Sequence, residues 1–352
     1  MNPHADPLST PSITPWHRLG SLLSAAWMAG SALLAVATGV NAQGALAVVG
    51  LMAVLGAPVL LHGLLLLVEG AAAAVVNARA ASRRPWGTDA AQAPEPAVGG
   101  GTWWLAFGRE WALFLWHFLW LQPWRAQAVA DGPWPPAPSP SAAPVGRSPR
   151  AVVLVHGYVC NRAFWQEAQR HLQAQGIPVM ALTLGPPFAS IDVQAQGLNA
   201  AFDQAWRATG RAPIWVGHSM GGLVIRSWLA RQAPARPEAV SGVHEVVTVG
   251  TPHHGTRMAA LARAQPGRQM RWRSDWIQAL ERDEARSPVR ARFTCWWSLC
   301  DSLVFPAHSA TRAGARQRAV RDRMHVGLAT HPGLWDELTE LAWQVDTDPV
   351  QP

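Results

Sequence analysis

The stretch IWVGHSMGGLVIRSW, residues 214–228, joins two apolar runs through a serine that is flanked by glycines. β-Branched and aromatic side chains favour a strand before the serine, and the longer run after it favours a helix. Gly217 and Gly221 leave room for a tight turn between the two elements. Strand, sharp turn and helix in this order form a nucleophile elbow. The stretch therefore predicts that Ser219 is a nucleophile carried on an α/β fold.

The residues beside Ser219 complete the predicted elbow. His218 ends the strand, and Met220 opens the helix. That helix would direct its N-terminal N–H groups and the positive end of its dipole towards the reacting oxygen. The backbone N–H of Met220 is thus predicted to form one half of an oxyanion hole.

A second motif, VVLVHGY at residues 152–158, is a β-branched run that ends in His156 and Gly157. A loop after such a strand supplies the other oxyanion-hole N–H in hydrolases with an elbow. The backbone N–H of Tyr158, the only tyrosine in the chain, stands at the expected position. The alternative interpretation is a buried strand that a glycine turn brings to an end.

An acid and then a histidine should follow the serine along the chain. Asp301 comes just after the apolar run 293–298, and His325 follows the last candidate strand. In that arrangement His325 takes the proton of Ser219 during attack, and Asp301 holds the imidazole tautomer. This chemistry needs no metal and no organic cofactor. Alternatives are Asp275, Asp283 and Asp322 for the acid and His331 for the base.

The pattern after residue 150 predicts an α/β fold with a parallel sheet of about six strands and flanking helices. Short β-branched runs alternate there with longer amphipathic stretches, which is typical of parallel sheets. The candidate strands are 151–155, 178–182, 213–216, 245–249, 292–297 and 316–320, with helices such as 164–175 and 195–208 between them.

Two uncharged stretches near the N-terminus, 19–40 and 45–68, are each long enough to cross a bilayer, which takes about 20 residues. Only the polar turn 41–44 separates them, so the pattern predicts a transmembrane helical hairpin. Arginines flank the pair and are absent from the turn, which places both ends in the cytoplasm. The alternative is a signal-peptide-like first stretch followed by a buried soluble helix, with the catalytic region exported.

A tryptophan-rich stretch, 102–125, follows the predicted hairpin. Its polar residues Arg109, Glu110 and His117 fall on one side of a helix, and the rest of the circumference is apolar. It is either a membrane-interface helix or a helix packed on the catalytic region or the hairpin. The predicted organisation is a tail (1–18), a membrane hairpin (19–78), a tryptophan-rich interfacial region (79–130), a proline-rich linker (131–150) and a catalytic domain (151–345).

The composition is basic and poor in charge, with a net charge of +7 and 14% charged residues among 352. All 29 cationic side chains are arginine. No basic segment is interleaved with aromatic residues as in nucleic-acid-binding modules, so nucleic acid is excluded as a partner. The three cysteines Cys160, Cys295 and Cys300 match no zinc site. They are either free and buried or include a Cys295–Cys300 bridge.

Residues 151–345 resemble the bacterial triacylglycerol lipase and esterase branch of the α/β-hydrolase superfamily. The resemblance is carried by VHG at 155–157, GHSMGG at 217–222, TPHHGT at 251–256, the segment 298–306 around Asp301, and His325. In such lipases the TPHHGT segment shapes the wall of the site, and the insertion 255–290 is either a mobile lid or a fixed helical cap.

The resemblance implies a hydrolase of carboxylic esters, with a lipid or another hydrophobic ester as substrate. The membrane anchor comes from the predicted hairpin, which, like the tryptophan-rich helix, is not part of the common secreted lipases. Combined with the predicted hairpin, the resemblance places the enzyme in the inner membrane with its catalytic domain on the cytoplasmic side. Two alternatives remain open. An acyltransferase or thioesterase would use the same acyl-enzyme, and a membrane scaffold would have the fold without the activity.

Overall fold

A computed structural model of the chain describes residue 18 and residues 61–79, 98–134, 149–241 and 243–344. Its centre is a sheet of six strands in the order β2-β1-β3-β4-β5-β6, and all neighbouring pairs run parallel. The parallel six-strand sheet predicted from the sequence is confirmed. The strands are β1 Val152–Val155, β2 Val179–Ala181, β3 Ile214–His218, β4 Val243–Val249, β5 Arg290–Ser298 and β6 Arg316–Val320.

Helices cover both faces of this sheet, as the buried strands require. In β1, Val153 and Val155 point to one hydrophobic cluster, and Val152 and Leu154 point to another. The helices after residue 150 are α3 Gln166–Ala174, α4 Ile191–Ala195, α5 Leu198–Thr209, α6 Met220–Arg231, α7 Pro237–Ser241, α8 Gln265–Gln269, α9 Asp275–Arg286 and α10 Pro332–Trp343. Helices α4, α5, α6 and α9 pack on the first face, and α3 and α10 pack on the second.

The strand order changes direction at β1. The chain passes from β1 outwards to β2 and then returns to the other side of β1 as β3. In open parallel sheets, ligands bind beyond the carboxyl ends of the strands at such a point. The loops that follow β1 and β3 carry the motifs at 155–158 and 217–222, so the topology brings the two predicted halves of the site together.

Two helices precede the sheet within the described residues. Helix α1 is described over Leu61–Arg79, and α2 runs over Gly100–Leu115 and continues through a π-helical turn, Trp116–Leu121, to Trp124. They pack on each other, with the His62 and Phe114 rings stacked at 3.7 Å. Within the described part of the chain, α1 alone is long and apolar enough to cross a membrane, with a mean hydropathy of 1.6.

The predicted hairpin is thus described only in part. The first span, 19–40, lies outside the described residues, as does most of the second, 45–68. Helix α1 continues beyond that second span to Arg79, because the alanine run 71–74 favours helix strongly enough to carry it past Glu69. Asn77 near its end touches the loop after β5, where its Oδ1 accepts a 2.8 Å hydrogen bond from the Ala307 N–H.

Two of the three ionisable residues of α2, Glu110 and His117, face the protein, whereas the third, Arg109, is exposed. Glu110 and His117 are 3% and 2% exposed, whereas Leu105 on the opposite side is 72% exposed. This is the reverse of a soluble amphipathic helix, which turns its polar residues outwards. The exposed apolar side chains of α2 are Trp104, Leu105, Trp116, Leu119, Trp120 and Trp124.

The start of the proline-rich segment also lies against the sheet. Gly132 bridges to Val179 of β2, and Asp131 accepts a 3.0 Å hydrogen bond from the Ala181 N–H. Residues 135–148 of the predicted linker lie outside the described residues.

The structure decides between the two alternatives for the cysteines. Cys160, Cys295 and Cys300 are all free and buried.

Candidate active site

Ser219 lies in the turn between β3 and α6. Its backbone angles are φ 54° and ψ −124°, a region in which a side chain is strained by about 1–3 kcal/mol. The turn is held because the Ser219 N–H donates a 2.8 Å hydrogen bond to the Val249 carbonyl of the neighbouring strand. Helix α6 begins at Met220. The serine hydroxyl therefore stands at the positive end of a helix dipole.

Gly217 and Gly221 make this turn possible through close backbone approaches. A Cβ on Gly217 would lie 2.5 Å from the Gly222 nitrogen, and one on Gly221 would overlap the Val155 carbonyl. A side chain at Gly217 would push the strand away from the start of α6, and one at Gly221 would push the elbow away from β1. The glycines predicted to flank the nucleophile are thus the residues that let its turn close.

The loop after β1 passes directly against the serine. A Cβ on Gly157 would lie 3.0 Å from the Ser219 Cβ. His156 stabilises this loop, because its Nε2 accepts a 2.9 Å hydrogen bond from the Leu184 N–H. Its Nδ1 therefore carries the proton and donates to the Gly157 carbonyl at 2.7 Å.

Two backbone donors stand free in this region. Within the part of the chain that the structure describes, neither the Tyr158 N–H nor the Met220 N–H donates a hydrogen bond. Met220 is the first residue of α6, where N–H groups have no partner inside the helix. Both N–H groups are available as donors, and their joint role as an oxyanion hole stays a prediction.

The predicted acid and base meet above the sheet. His325 Nδ1 lies 2.8 Å from Asp301 Oδ2, and both side chains are almost fully buried. The other carboxylate oxygen, Oδ1, accepts hydrogen bonds from the N–H groups of Leu303 at 2.9 Å and Val304 at 2.8 Å. Asp301 is therefore fixed in orientation, and His325 Nε2 is the ring nitrogen left to exchange a proton.

The charges around His325 favour its protonated form. Burial is the largest single effect and would lower the pKa of His325, but the charge and hydrogen bond of Asp301, together with nearby carboxylates, raise this pKa overall. Glu110 and Glu69 add to the rise in this pKa. The surrounding carboxylates thus stabilise the imidazolium form of His325.

The alternative acids and base are engaged elsewhere. Asp322 pairs with Arg109 at 3.2 Å and with Arg323, and its side chain is half exposed. Asp275 lies exposed in the first turn of α9, and Asp283 pairs with Arg231 at 2.8 Å. His331 caps α10, because its Nδ1 accepts a 3.1 Å hydrogen bond from the Gly333 N–H.

A family model described as "Alpha/beta hydrolase family" matches residues 152–352. The chain belongs to the alpha/beta hydrolase family. The matched region begins at β1 and includes Ser219, Asp301 and His325. The superfamily resemblance seen in the sequence motifs is thereby confirmed.

The alpha/beta hydrolase region is similar to solved lipases at low identity. Lipase B of Aspergillus fumigatus is 17% identical with a TM-score of 0.44, over 55% of this chain and 53% of that one. The mature lipase BlEst2 of Bacillus licheniformis is 17% identical with a TM-score of 0.45, over 60% and 99%. A monoacylglycerol lipase of Paleococcus ferrophilus is 16% identical with a TM-score of 0.38, over 55% and 96%. The chain thus spans about half the length of the Aspergillus lipase. A search of curated proteins finds no match.

Two contacts to the His325 loop of this hydrolase were missed by sequence reasoning. The His218 ring stacks on Phe164 at 4.4 Å, and its Nε2–H donates a 3.0 Å hydrogen bond to the His325 carbonyl. Burial holds the pKa of His218 well below its usual range, so the ring stays neutral. The second contact comes from Glu110 of α2, which accepts hydrogen bonds from the Val326 and Gly327 N–H groups.

The insertion 255–290 covers one side of the site as a turn, Arg257–Leu261, followed by α8 and α9. It is tied to the loop after Asp301, since the Thr256 hydroxyl donates to the Leu303 carbonyl at 2.7 Å. Its outer surface carries Leu261, which is 91% exposed, among five exposed arginines. The arginines are Arg257, Arg263, Arg268, Arg271 and Arg273.

The two histidines of the TPHHGT segment have structural contacts. His253 is buried beside β4, with its Nε2 3.0 Å from the Thr248 hydroxyl, and His254 pairs with Glu281 at 3.2 Å. Across the residues that the structure describes, no group of three His, Cys, Asp or Glu side chains is placed to hold a metal ion.

Proposed function

We propose that this hydrolase cleaves carboxylic esters through an acyl-enzyme on Ser219. The observation that carries the proposal is the buried His325–Asp301 pair, whose histidine contacts His218, the residue before a strained serine at a helix N-terminus. Acyl transfer to serine needs a base held in one tautomer and two N–H donors for the oxyanion. The Asp301 carboxylate would hold the tautomer of His325. The N–H groups of Tyr158 and Met220 can serve as the two donors, since they have no other partner among the described residues.

The reaction proceeds in two proton-balanced steps. Ser219 Oγ attacks the ester carbonyl while His325 Nε2 takes its proton, and the carbonyl oxygen becomes an oxyanion bound by the two N–H groups. When the tetrahedral intermediate collapses, His325 returns the proton to the leaving alcohol. Water then attacks the acyl-enzyme with the same histidine as base, which releases the acid and restores Ser219.

The reversed polarity of α2 supports a hydrophobic substrate at a membrane. A helix that buries Glu110 and exposes Leu105 and Trp120 suits a surrounding of lipid better than water. Indole rings favour the headgroup level of a bilayer. Helix α1 packs beside α2 and exposes Leu61, Leu64 and Val68, so the two helices share this apolar surface. The substrate we propose is an ester of a lipid or of a similarly hydrophobic acid.

A panel of esters tests this proposal on the full chain in detergent and in phospholipid vesicles. We expect p-nitrophenyl esters of medium and long acyl chains to be hydrolysed faster than the acetate, and vesicles to raise the rate for the long chains. The corresponding acyl thioesters and an added alcohol acceptor separate a thioesterase and an acyltransferase from an esterase. Absence of hydrolysis of every ester by folded protein would overturn the proposal.

Membrane topology gives a separate prediction. Arginines follow the second apolar stretch and are absent from the turn 41–44, so the C-terminus should lie in the cytoplasm. In a bacterial host, green fluorescent protein fused at the C-terminus is expected to fluoresce, and alkaline phosphatase at the same point to be inactive. A matched pair of fusions after Gly44 should show the opposite pattern. Active phosphatase at the C-terminus would contradict the predicted orientation.

A further inference from the structure

We infer that Glu110 is a positioning residue for His325, through which α2 holds the loop that carries the base of the proposed reaction. The inference rests on the proposed function, because it concerns the same site. Glu110 does not touch the reacting atoms. It acts on the backbone immediately after His325.

One carboxylate accepts hydrogen bonds from two successive backbone N–H groups. Glu110 Oε1 accepts a 2.6 Å hydrogen bond from Val326, and Oε2 accepts a 2.8 Å hydrogen bond from Gly327. Two bonds from one planar group fix both the position and the direction of the backbone after His325. Gly327 allows this approach, because a Cβ there would come within 3.3 Å of Oε2.

The His325 loop is held from the other side by His218, which donates to the His325 carbonyl at 3.0 Å. Glu110 and His218 therefore bind consecutive parts of the same short segment. His218 belongs to the elbow that carries Ser219, whereas Glu110 belongs to α2. The distance between nucleophile and base thus depends on where α2 lies relative to the sheet.

The ionised form of Glu110 is not a source of fold stability. Burial raises the pKa of Glu110 to about 7, against the lowering effect of its two backbone hydrogen bonds. Because the folded-state pKa is raised, stability falls as pH rises through the window up to about 7, and the cost persists above it. A carboxylate that costs stability yet faces the base is a candidate for a functional role.

Several other charges face Glu110 and His325. On the loop side are Asp301 and Arg323, whose Cδ would lie 3.3 Å from a Cβ on Gly327, and on α1 is Glu69. Arg323 pairs with Asp322, which also pairs with Arg109 of α2. The negative charge of Glu110 raises the pKa of His325. Neutralising Glu110 should therefore have two effects at once. It should destabilise the imidazolium form of His325, and it should remove one of the two hydrogen bonds to the backbone.

The test compares Glu110→Gln with Glu337→Gln in the full chain. Glutamine has the shape of glutamate, but it can accept from only one of the two N–H groups. Glu337 is the matched control, a buried glutamate that accepts a 2.8 Å hydrogen bond from the Trp296 indole and pairs with Arg318, away from the His325 loop. The probe is p-nitrophenyl butyrate in detergent, with kcat and kcat/KM measured from pH 5 to 9.

We expect E110Q to lower kcat on the order of 10- to 100-fold, the scale of a misplaced catalytic group, with KM changed less than about twofold. The acid limb of kcat/KM, which reports the free enzyme, should move to lower pH because the charge that raises the His325 pKa is gone. E337Q should leave the acid limb in place. An E110Q profile that matches wild type, or an equal displacement in E337Q, would overturn the inference.

A measurement on the wild type decides the matter if E110Q does not fold. Labelling of Ser219 by a fluorophosphonate should be fastest with both His325 and Glu110 deprotonated, so the logarithm of its rate should rise with pH at a slope greater than 1 over the pH range in which both groups titrate. A slope of 1 throughout would contradict a role for Glu110. Failure of this inference leaves wild-type labelling intact, whereas failure of the proposed function abolishes labelling at every pH.

Discussion

Replacing Ser219 with alanine is expected to lower kcat for ester hydrolysis by a factor on the order of 10⁶, because the acyl-enzyme cannot form without its hydroxyl. The free N–H groups of Tyr158 and Met220 remain, so a small residual rate above the uncatalysed reaction should persist. KM should change little, since alanine removes no wall of the site. Hydrolysis of p-nitrophenyl butyrate by the purified full chain measures all three quantities.

Ser227→Ala is the matched control for this substitution. Ser227 is buried in the same helix, α6, and donates its hydroxyl to Asp192 at 2.6 Å. Loss of this hydroxyl should lower the free energy of unfolding by about 1 kcal/mol and leave kcat within about twofold of wild type. Hydrolysis by S219A at more than about one hundredth of the wild-type rate would assign the chemistry to another group.

Replacing Asp301 with asparagine is expected to lower kcat by about 10⁴. The reason lies in how the carboxylate is held. Because Oδ1 accepts hydrogen bonds from the Leu303 and Val304 N–H groups, the amide oxygen of the variant must take that place. The NH₂ group then faces His325 Nδ1 and forces the imidazole proton onto Nε2, so the ring cannot accept the proton of Ser219.

The D301N substitution should also shift the pH dependence of kcat/KM in one direction. Asp301 raises the pKa of His325 against burial, so its neutralisation should lower that pKa and move the acid limb of kcat/KM to lower pH. Asp322→Asn is the control, because Asp322 lies three residues from His325 in sequence but pairs with Arg109 and Arg323. Equal losses of activity in D322N and D301N would contradict the assignment of Asp301.

The sheet and the serine turn could be predicted because their signals are local. Each buried parallel strand is a short β-branched run, and the predicted 316–320 coincides with β6 Arg316–Val320. Boundaries shifted where polar residues continue a strand. β5 begins at Arg290, two residues before the predicted start, because its exposed first residues pair with β4.

The contacts that hold the His325 loop could not be predicted in the same way. His218 reaches the His325 carbonyl across 107 residues of sequence, and Glu110 reaches Val326 across 216. Such pairings depend on how elements pack, which periodicity within one element does not encode. The one available signal was the polar side of α2, where Glu110 and His117 interrupt an apolar helix. The sequence left open whether this helix lies at a membrane interface or packs on the catalytic region or the hairpin. In the structure Glu110 and His117 face the protein and Arg109 is exposed.

The most direct test of the central claim is covalent trapping of the nucleophile. The full chain is incubated with a fluorophosphonate and digested with trypsin, and the modified peptide is identified by mass. Cleavage after Arg211 and Arg226 releases residues 212–226, in which Ser219 is the only hydroxyl-bearing residue. We predict one adduct, on this peptide, that is absent from S219A and present in S227A. Folded wild-type protein that remains unlabelled, or an adduct on any other peptide, would contradict Ser219 as the nucleophile.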